Sequence, residues 1–100
     1  MSKLFNILLV EEVREDFEEL RKNKSLEKRY RAVAKSLKLL AQNPRHPSLQ
    51  THEFSSLKGP KGEKVFEAYA EQDTPAAYRI FWYYGPQKGE ITIVAITRHS

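Results

Sequence analysis

Arg79 lies inside the most aromatic stretch of the chain, Tyr78-Arg79-Ile80-Phe81-Trp82-Tyr83-Tyr84. A permanent charge within an apolar segment needs a counter-ion, water or a ligand. A guanidinium offers a rigid donor fork matched to carboxylate or phosphate oxygens, so Glu67 or a bound anion are its natural partners. His99 is the second group of interest, because an imidazole titrates close to working pH and suits either proton-transfer role. His46 and His52, in a proline-bearing segment, read as surface or capping residues. Their spacing with His99 matches no metal signature, so no metal site is expected. Lys58-Gly59-Pro60-Lys61-Gly62 lacks the helix-opening Gly-Lys-Ser/Thr of a phosphate-binding loop. The chain has no cysteine, which excludes disulfides, thiol catalysis and cysteine-held zinc.

The elements that must position these groups follow from periodicity. Phe5–Val10 reads as a short buried strand, too short for a signal sequence or a membrane span. Val13, Phe17 and Leu20 then mark one face of a helix whose first turns carry Glu11, Glu12 and Glu15. Ser25 is the expected N-cap of a second helix. Leu26, Tyr30, Val33, Leu37 and Leu40 form its apolar stripe, with Lys28, Arg31, Lys35 and Lys38 opposite. Asn43-Pro44 ends that helix. Residues 43–63 read as a long loop pinned by Leu49, Phe54 and Leu57. Three strands follow, Lys64–Glu71, Ala76–Tyr84 and Glu90–Thr97, joined by turns at Gln72–Pro75 and Gly85–Gly89. The expected fold is a single α+β domain over residues 1–100, ordered β-α-α-β-β-β. A helix hairpin packs on one face of a mainly antiparallel four-stranded sheet. Tyr78, Ile80, Trp82 and Tyr84 suit the helix side, which leaves Arg79, Phe81 and Tyr83 on the other.

Charge is distributed unevenly. The net charge is +4 over the 100 residues, with 17 Lys and Arg against 13 Asp and Glu. Residues 1–50 hold 11 basic and 7 acidic side chains, and residues 51–100 hold 6 of each. The excess therefore belongs to the first half. It favours an anionic partner such as nucleic acid or an acidic protein, although a basic helix stripe is often only a solvated face.

The element order, the loop Asn43-Pro44-Arg45-His46-Pro47, the segment Leu57-Lys58-Gly59, the core Tyr78-Arg79-Ile80-Phe81-Trp82-Tyr83 and the end Ile96-Thr97-Arg98-His99-Ser100 together resemble the RelE/ParE toxin superfamily. The resemblance spans nearly the whole chain. It departs at the end, which reads Thr-Arg-His-Ser where the family more often has Thr-Pro-His. It implies the toxin of a type II toxin–antitoxin pair. For the RelE-like branch it implies a ribosome-dependent, metal-independent mRNA endonuclease that inhibits translation in the cytoplasm. The expected partners are a cognate antitoxin, the ribosome and mRNA, with no membrane and no cofactor. The antitoxin would supply an amphipathic helix or an added strand, with acidic side chains toward the basic surface. The alternatives are a ParE-like gyrase inhibitor that cuts nothing, or an inactive fold relative acting as a binding module.

Carried over by residue, the resemblance gives Arg79 the phosphate at the cleaved bond and His99 a proton-transfer role. Lys58, Lys61 and Lys64 fall near the family's phosphate-binding or catalytic lysines. Glu67 is a candidate carboxylate base and Tyr83 a candidate for stacking on a base or ordering the site. Metal-free RNA cleavage needs such a set. A base takes the 2′-hydroxyl proton, the oxygen attacks phosphorus, a cation stabilises the phosphoryl oxygens, and an acid protonates the departing 5′-oxygen. The products are a 2′,3′-cyclic phosphate and a 5′-hydroxyl. Lys28, Arg31, Lys35 and Lys38 would add phosphate contacts with little sequence preference.

Overall fold

The computed structural model describes residues 4–70 and 77–98. Its elements are β1 (Asn6–Leu9), α1 (Glu11–Lys22), α2 (Glu27–Gln42), β2 (His52–Lys58), β3 (Lys64–Tyr69), β4 (Tyr78–Tyr84) and β5 (Glu90–Arg98), with short 3₁₀ turns at Lys24–Leu26 and Pro47–Leu49. The two helices lie on one face of a five-stranded mixed sheet, ordered β1-β5-β4-β3-β2. Only the β1–β5 pair is parallel.

The sheet thus has one strand more than the four expected. The extra strand is β2, formed by residues read from the sequence as loop. It pairs antiparallel with β3 and forms an edge of the sheet. Its sequence, His52-Glu53-Phe54-Ser55-Ser56-Leu57-Lys58, is exposed at every position except Phe54. A strand wetted on both faces need not alternate apolar and polar residues, so it leaves no period-two signal. Leu57, expected to pin the segment, is 41% exposed, whereas Leu49 is buried.

The start of α2 also differs from expectation. Ser25 does not cap the helix. Asn23 Oδ1 accepts from both the Ser25 N–H and the Ser25 hydroxyl, so the chain makes a 3₁₀ turn first and α2 opens at Glu27. Asn43 terminates α2 in an extended conformation, consistent with the following proline.

The main core lies between helices and sheet. Val13, Leu20, Val33, Leu40, Ile80, Trp82, Ile91 and Ile93 are all buried there. Phe66 stacks on Trp82 with ring centroids 5.0 Å apart. A smaller cluster covers the opposite face, where Phe54, Val65, Phe81, Tyr83, Val94 and Ala95 pack together. The two faces are kept separate along β4 by plain alternation. Along β5 they are not. Phe81 pairs with Ala95 but Trp82 pairs with Ile93, so Val94 is an extra residue. This bulge switches the phase of the strand. Ile91, Ile93 and Ile96 join the helix-side core despite their uneven spacing. Thr97 comes to lie opposite Arg79. The expected turn at Gln72–Pro75 and residue His99 lie outside the described residues.

Candidate functional site

Glu67 is the one buried carboxylate among the described residues, 2% exposed in the middle of β3. Its strand phase, shared with Val65 and opposite to Phe66 and Ala68, turns it away from the helices. Two neighbouring strands supply its partners. On β2, His52 pairs directly with Glu67 in register and places Nε2 2.7 Å from Oε1. On β4, Arg79 sits two pairs further along, the next residue on that face after Phe81, and places Nη1 2.7 Å from Oε2. One carboxylate thus holds an imidazole on one oxygen and a guanidinium on the other. Isolated burial of this carboxylate would be costly, and the Arg79 guanidinium, with the His52 ring at the other oxygen, offsets that cost.

The three groups differ in access to solvent. The Glu67 side chain is 3% exposed, Arg79 26% and His52 49%. Arg79 is braced over the Phe81 ring, 5.7 Å from its centroid. Its contact with Glu67 is ionic rather than a well-aligned hydrogen bond, since Oε2 and the buried Nε of Arg79 make none among the described residues. That Nε is buried, so what Arg79 can offer a ligand is the quarter of its side chain that is exposed. His52 is fixed at its other nitrogen, with Nδ1 3.1 Å from the Gln50 carbonyl oxygen, and its ring lies beside Tyr69. A half-exposed imidazole and a guanidinium on one carboxylate can bind an anion and place a titratable group near it.

The structure brings together Arg79 and Glu67 from the expected set and adds His52, which the sequence reading placed on the surface. Glu67 is shielded, with His52 at one oxygen and Arg79 at the other. Tyr83 shares the face but is buried with Val65 and Phe81, beyond Phe81 from the cluster. Lys64 is not brought to it. It has the strand phase of Phe66, pairs across the strands with Lys58 and lies 4.0 Å from Glu53. Lys61 is exposed on the β2–β3 turn, where its N–H donates to Glu63 Oε1. Lys28, Arg31, Lys35 and Lys38 are exposed on α2, with Arg31 already paired to Glu27 at 2.7 Å. They lie opposite the buried Val33, Ser36 and Leu40, and so on the side of the molecule away from Arg79. His46 caps the 3₁₀ turn by accepting from the Ser48 N–H, as a capping residue should.

Two helices against one face of a mixed sheet, closed by a parallel β1–β5 pair, define a RelE-like α+β fold. The crystal structure of an archaeal RelE–RelB complex from Pyrococcus horikoshii OT3 matches this chain with a TM-score of 0.66, over 97% of each chain, at 13% sequence identity. Neither the protein-family models nor the curated proteins contain a match. At that identity the likeness concerns the fold. Among the described residues no helix is long and apolar enough to cross a membrane, and no group of His, Asp and Glu is placed to hold a metal ion.

Proposed function

We propose that this chain is the toxin of a toxin–antitoxin pair and acts in the cytoplasm as a ribosome-dependent, metal-independent mRNA endonuclease. The observation that carries the reading is Arg79. Its side chain is held on the sheet face away from the helices, a quarter exposed and ion-paired to the buried Glu67. That is the equipment needed to meet a phosphodiester and stabilise the charge that develops on it. The reading is supported by the fold shared with a RelE chain that was crystallised with RelB.

In this reading the 2′-hydroxyl oxygen attacks the adjacent phosphorus and the bond to the 5′-oxygen breaks. Arg79 stabilises the phosphoryl oxygens, and His99 is the candidate for proton transfer. Lys58, Lys61 and Lys64 add positive potential along the β2–β3 hairpin. The α2 stripe of Lys28, Arg31, Lys35 and Lys38 makes phosphate contacts with ribosomal RNA. An antitoxin partner of acidic character covers the basic surface until it is removed.

Primer extension on a translated message, with purified protein and ribosomes, tests the proposal. Cleavage within the reading frame, lost in Arg79→Lys, is expected. Intact transcripts at ribosome-saturating concentrations, together with inhibition of gyrase supercoiling, would transfer the assignment to a ParE-like activity.

A further inference from the structure

Both ring nitrogens of His52 face acceptors. Nε2 meets Glu67 Oε1 at 2.7 Å and Nδ1 meets the Gln50 carbonyl oxygen at 3.1 Å. A carbonyl oxygen and an ionised carboxylate only accept hydrogen bonds. The ring satisfies both partners as the imidazolium, whereas either neutral tautomer sets a nitrogen lone pair against an oxygen. Glu67 is shared with Arg79. With His52 protonated, one negative charge serves two cations and the cluster carries a net +1. With His52 neutral, Glu67 and Arg79 cancel.

We infer that His52 is a positioning residue that acts through Glu67 to set how much of the Arg79 charge remains for a phosphodiester. The inference rests on the reading of Arg79 as the phosphate ligand. His52 needs no contact with the phosphate. When protonated it occupies Glu67 and leaves the guanidinium under-compensated, so an anion is attracted to its exposed part. When neutral it returns Glu67 to Arg79 alone. Linkage makes the effect reciprocal: a phosphodiester seated at Arg79 draws a proton onto His52. Among the described residues, the charged or titratable groups facing His52 are Glu67 and Tyr69 on β3, with Arg79 on β4 behind Glu67. Its β2 neighbour Glu53 has the opposite strand phase and lies toward Lys64.

The test is a titration of the folded protein with thymidylyl-thymidine, followed by NMR at the Arg79 and His52 side chains. This probe carries one phosphodiester, has no 2′-hydroxyl to be cut and does not itself titrate across the range used. The protein carries His99→Gln throughout, which leaves His46, on the 3₁₀ turn, as the one other imidazole, told apart by its own resonance. Binding is expected to weaken about tenfold between about pH 5.5 and about pH 8. The probe should also shift the His52 titration toward higher pH. His52→Gln should bind weakly at both pH values. His52→Lys, a cation at either pH, should bind tightly at both, as should Glu67→Gln. The inference is overturned if His52→Gln keeps the pH dependence, if His52→Lys weakens with pH as its parent does, or if the parent binds equally at both pH values. Binding that is unchanged in Arg79→Met, or absent at both pH values, counts instead against Arg79 as a phosphate ligand, and so against the functional reading on which the inference rests.

Discussion

Replacing Arg79 by methionine asks first whether this residue holds its own site together. Methionine keeps an apolar stem over Phe81 and removes the guanidinium. Glu67 is then left 3% exposed with His52, half exposed, as its remaining partner. Removing one partner of a buried ion pair costs about 3–5 kcal/mol. The cost here should fall to about 2–3 kcal/mol, because His52 stays and because water already screens an arginine that is 26% exposed. Glu67→Gln removes the charge and leaves Arg79 an amide and solvent, for a cost of about 1–2 kcal/mol. The double variant has no orphaned carboxylate. It should therefore be more stable than the sum of the single effects requires, by about 1–2 kcal/mol. Urea unfolding at neutral pH, followed by fluorescence of the single tryptophan, Trp82, reads these values directly. The midpoint of Arg79→Met should drop by about 1–2 M. A cost within about 0.5 kcal/mol of zero, or strictly additive effects, would refute the claim that Glu67 depends on Arg79. The cycle also governs how toxicity is interpreted. Loss of growth arrest in Arg79→Met mixes lost chemistry with lost stability, whereas the Glu67→Gln/Arg79→Met protein lacks the guanidinium without stranding a charge.

Three further outcomes are expected. Reversing Lys28, Lys35 and Lys38 to Glu should leave urea stability within about 0.5 kcal/mol per site, since all three are exposed. The same variant should lower the salt slope of ribosome association by about 2–3, and an unchanged slope would mark the stripe as a solvated face. Deleting Val94 removes the extra residue of the β5 bulge, keeps Ala95 opposite Phe81 and Ile96 opposite Ile80, and leaves Ile93 and Ile96 two apart on one face, so a cooperative thermal transition followed by circular dichroism should be retained, and its loss would show that the bulge itself is required. Glu18 is held below the usual carboxylate range, chiefly by its hydrogen bond from Arg21. The associated stabilisation is present above the ordinary Glu range and is lost as pH falls through the lowered value, so Glu18→Gln should slightly flatten the acid limb of a Tm-against-pH curve.

The helices were legible because each buries one face and exposes the other, and the central strands because they are dense in aromatic and β-branched residues. Val13, Phe17 and Leu20 on α1, and Ile80 with Trp82 on β4, announce their period in the sequence, and the structure places them as that period requires. What was missed lies where burial is not periodic. Strand β2 is wet on both sides and bounded by Pro47 and Gly59, so it has loop composition, and His52, read as a surface residue and indeed half exposed, gave no sign of its pairing with Glu67. A trace was present nonetheless: His52 and Phe54 are two apart, and both turn to the face that carries Phe81. The β5 bulge was illegible for a different reason. Ile91-Thr92-Ile93-Val94-Ala95-Ile96 is apolar or β-branched throughout, so an extra residue leaves no break in the pattern. The pairing of Arg79 with Glu67 was open as a counter-ion reading, but choosing it required the register between β3 and β4, which is a long-range property.

The geometry also bears on why a ribosome would be needed. The α2 basic stripe and the Arg79 cluster lie on opposite sides of a molecule whose shortest extent is 25 Å. A short single strand lying over Arg79 gains nothing from Lys28, Lys35 or Lys38, and one lying along α2 does not reach Arg79. On the Arg79 side the charges nearly balance, with Glu67 against a guanidinium and an imidazole, so affinity for a free strand should be low there. Both faces are served at once only when the protein is held between two nucleic-acid surfaces. Under the proposed function, one would be bound through phosphates on α2, and the other would be a message brought to the sheet. In that arrangement most of the binding free energy comes from a surface remote from the reacting bond, and a weakly charged site can still be filled.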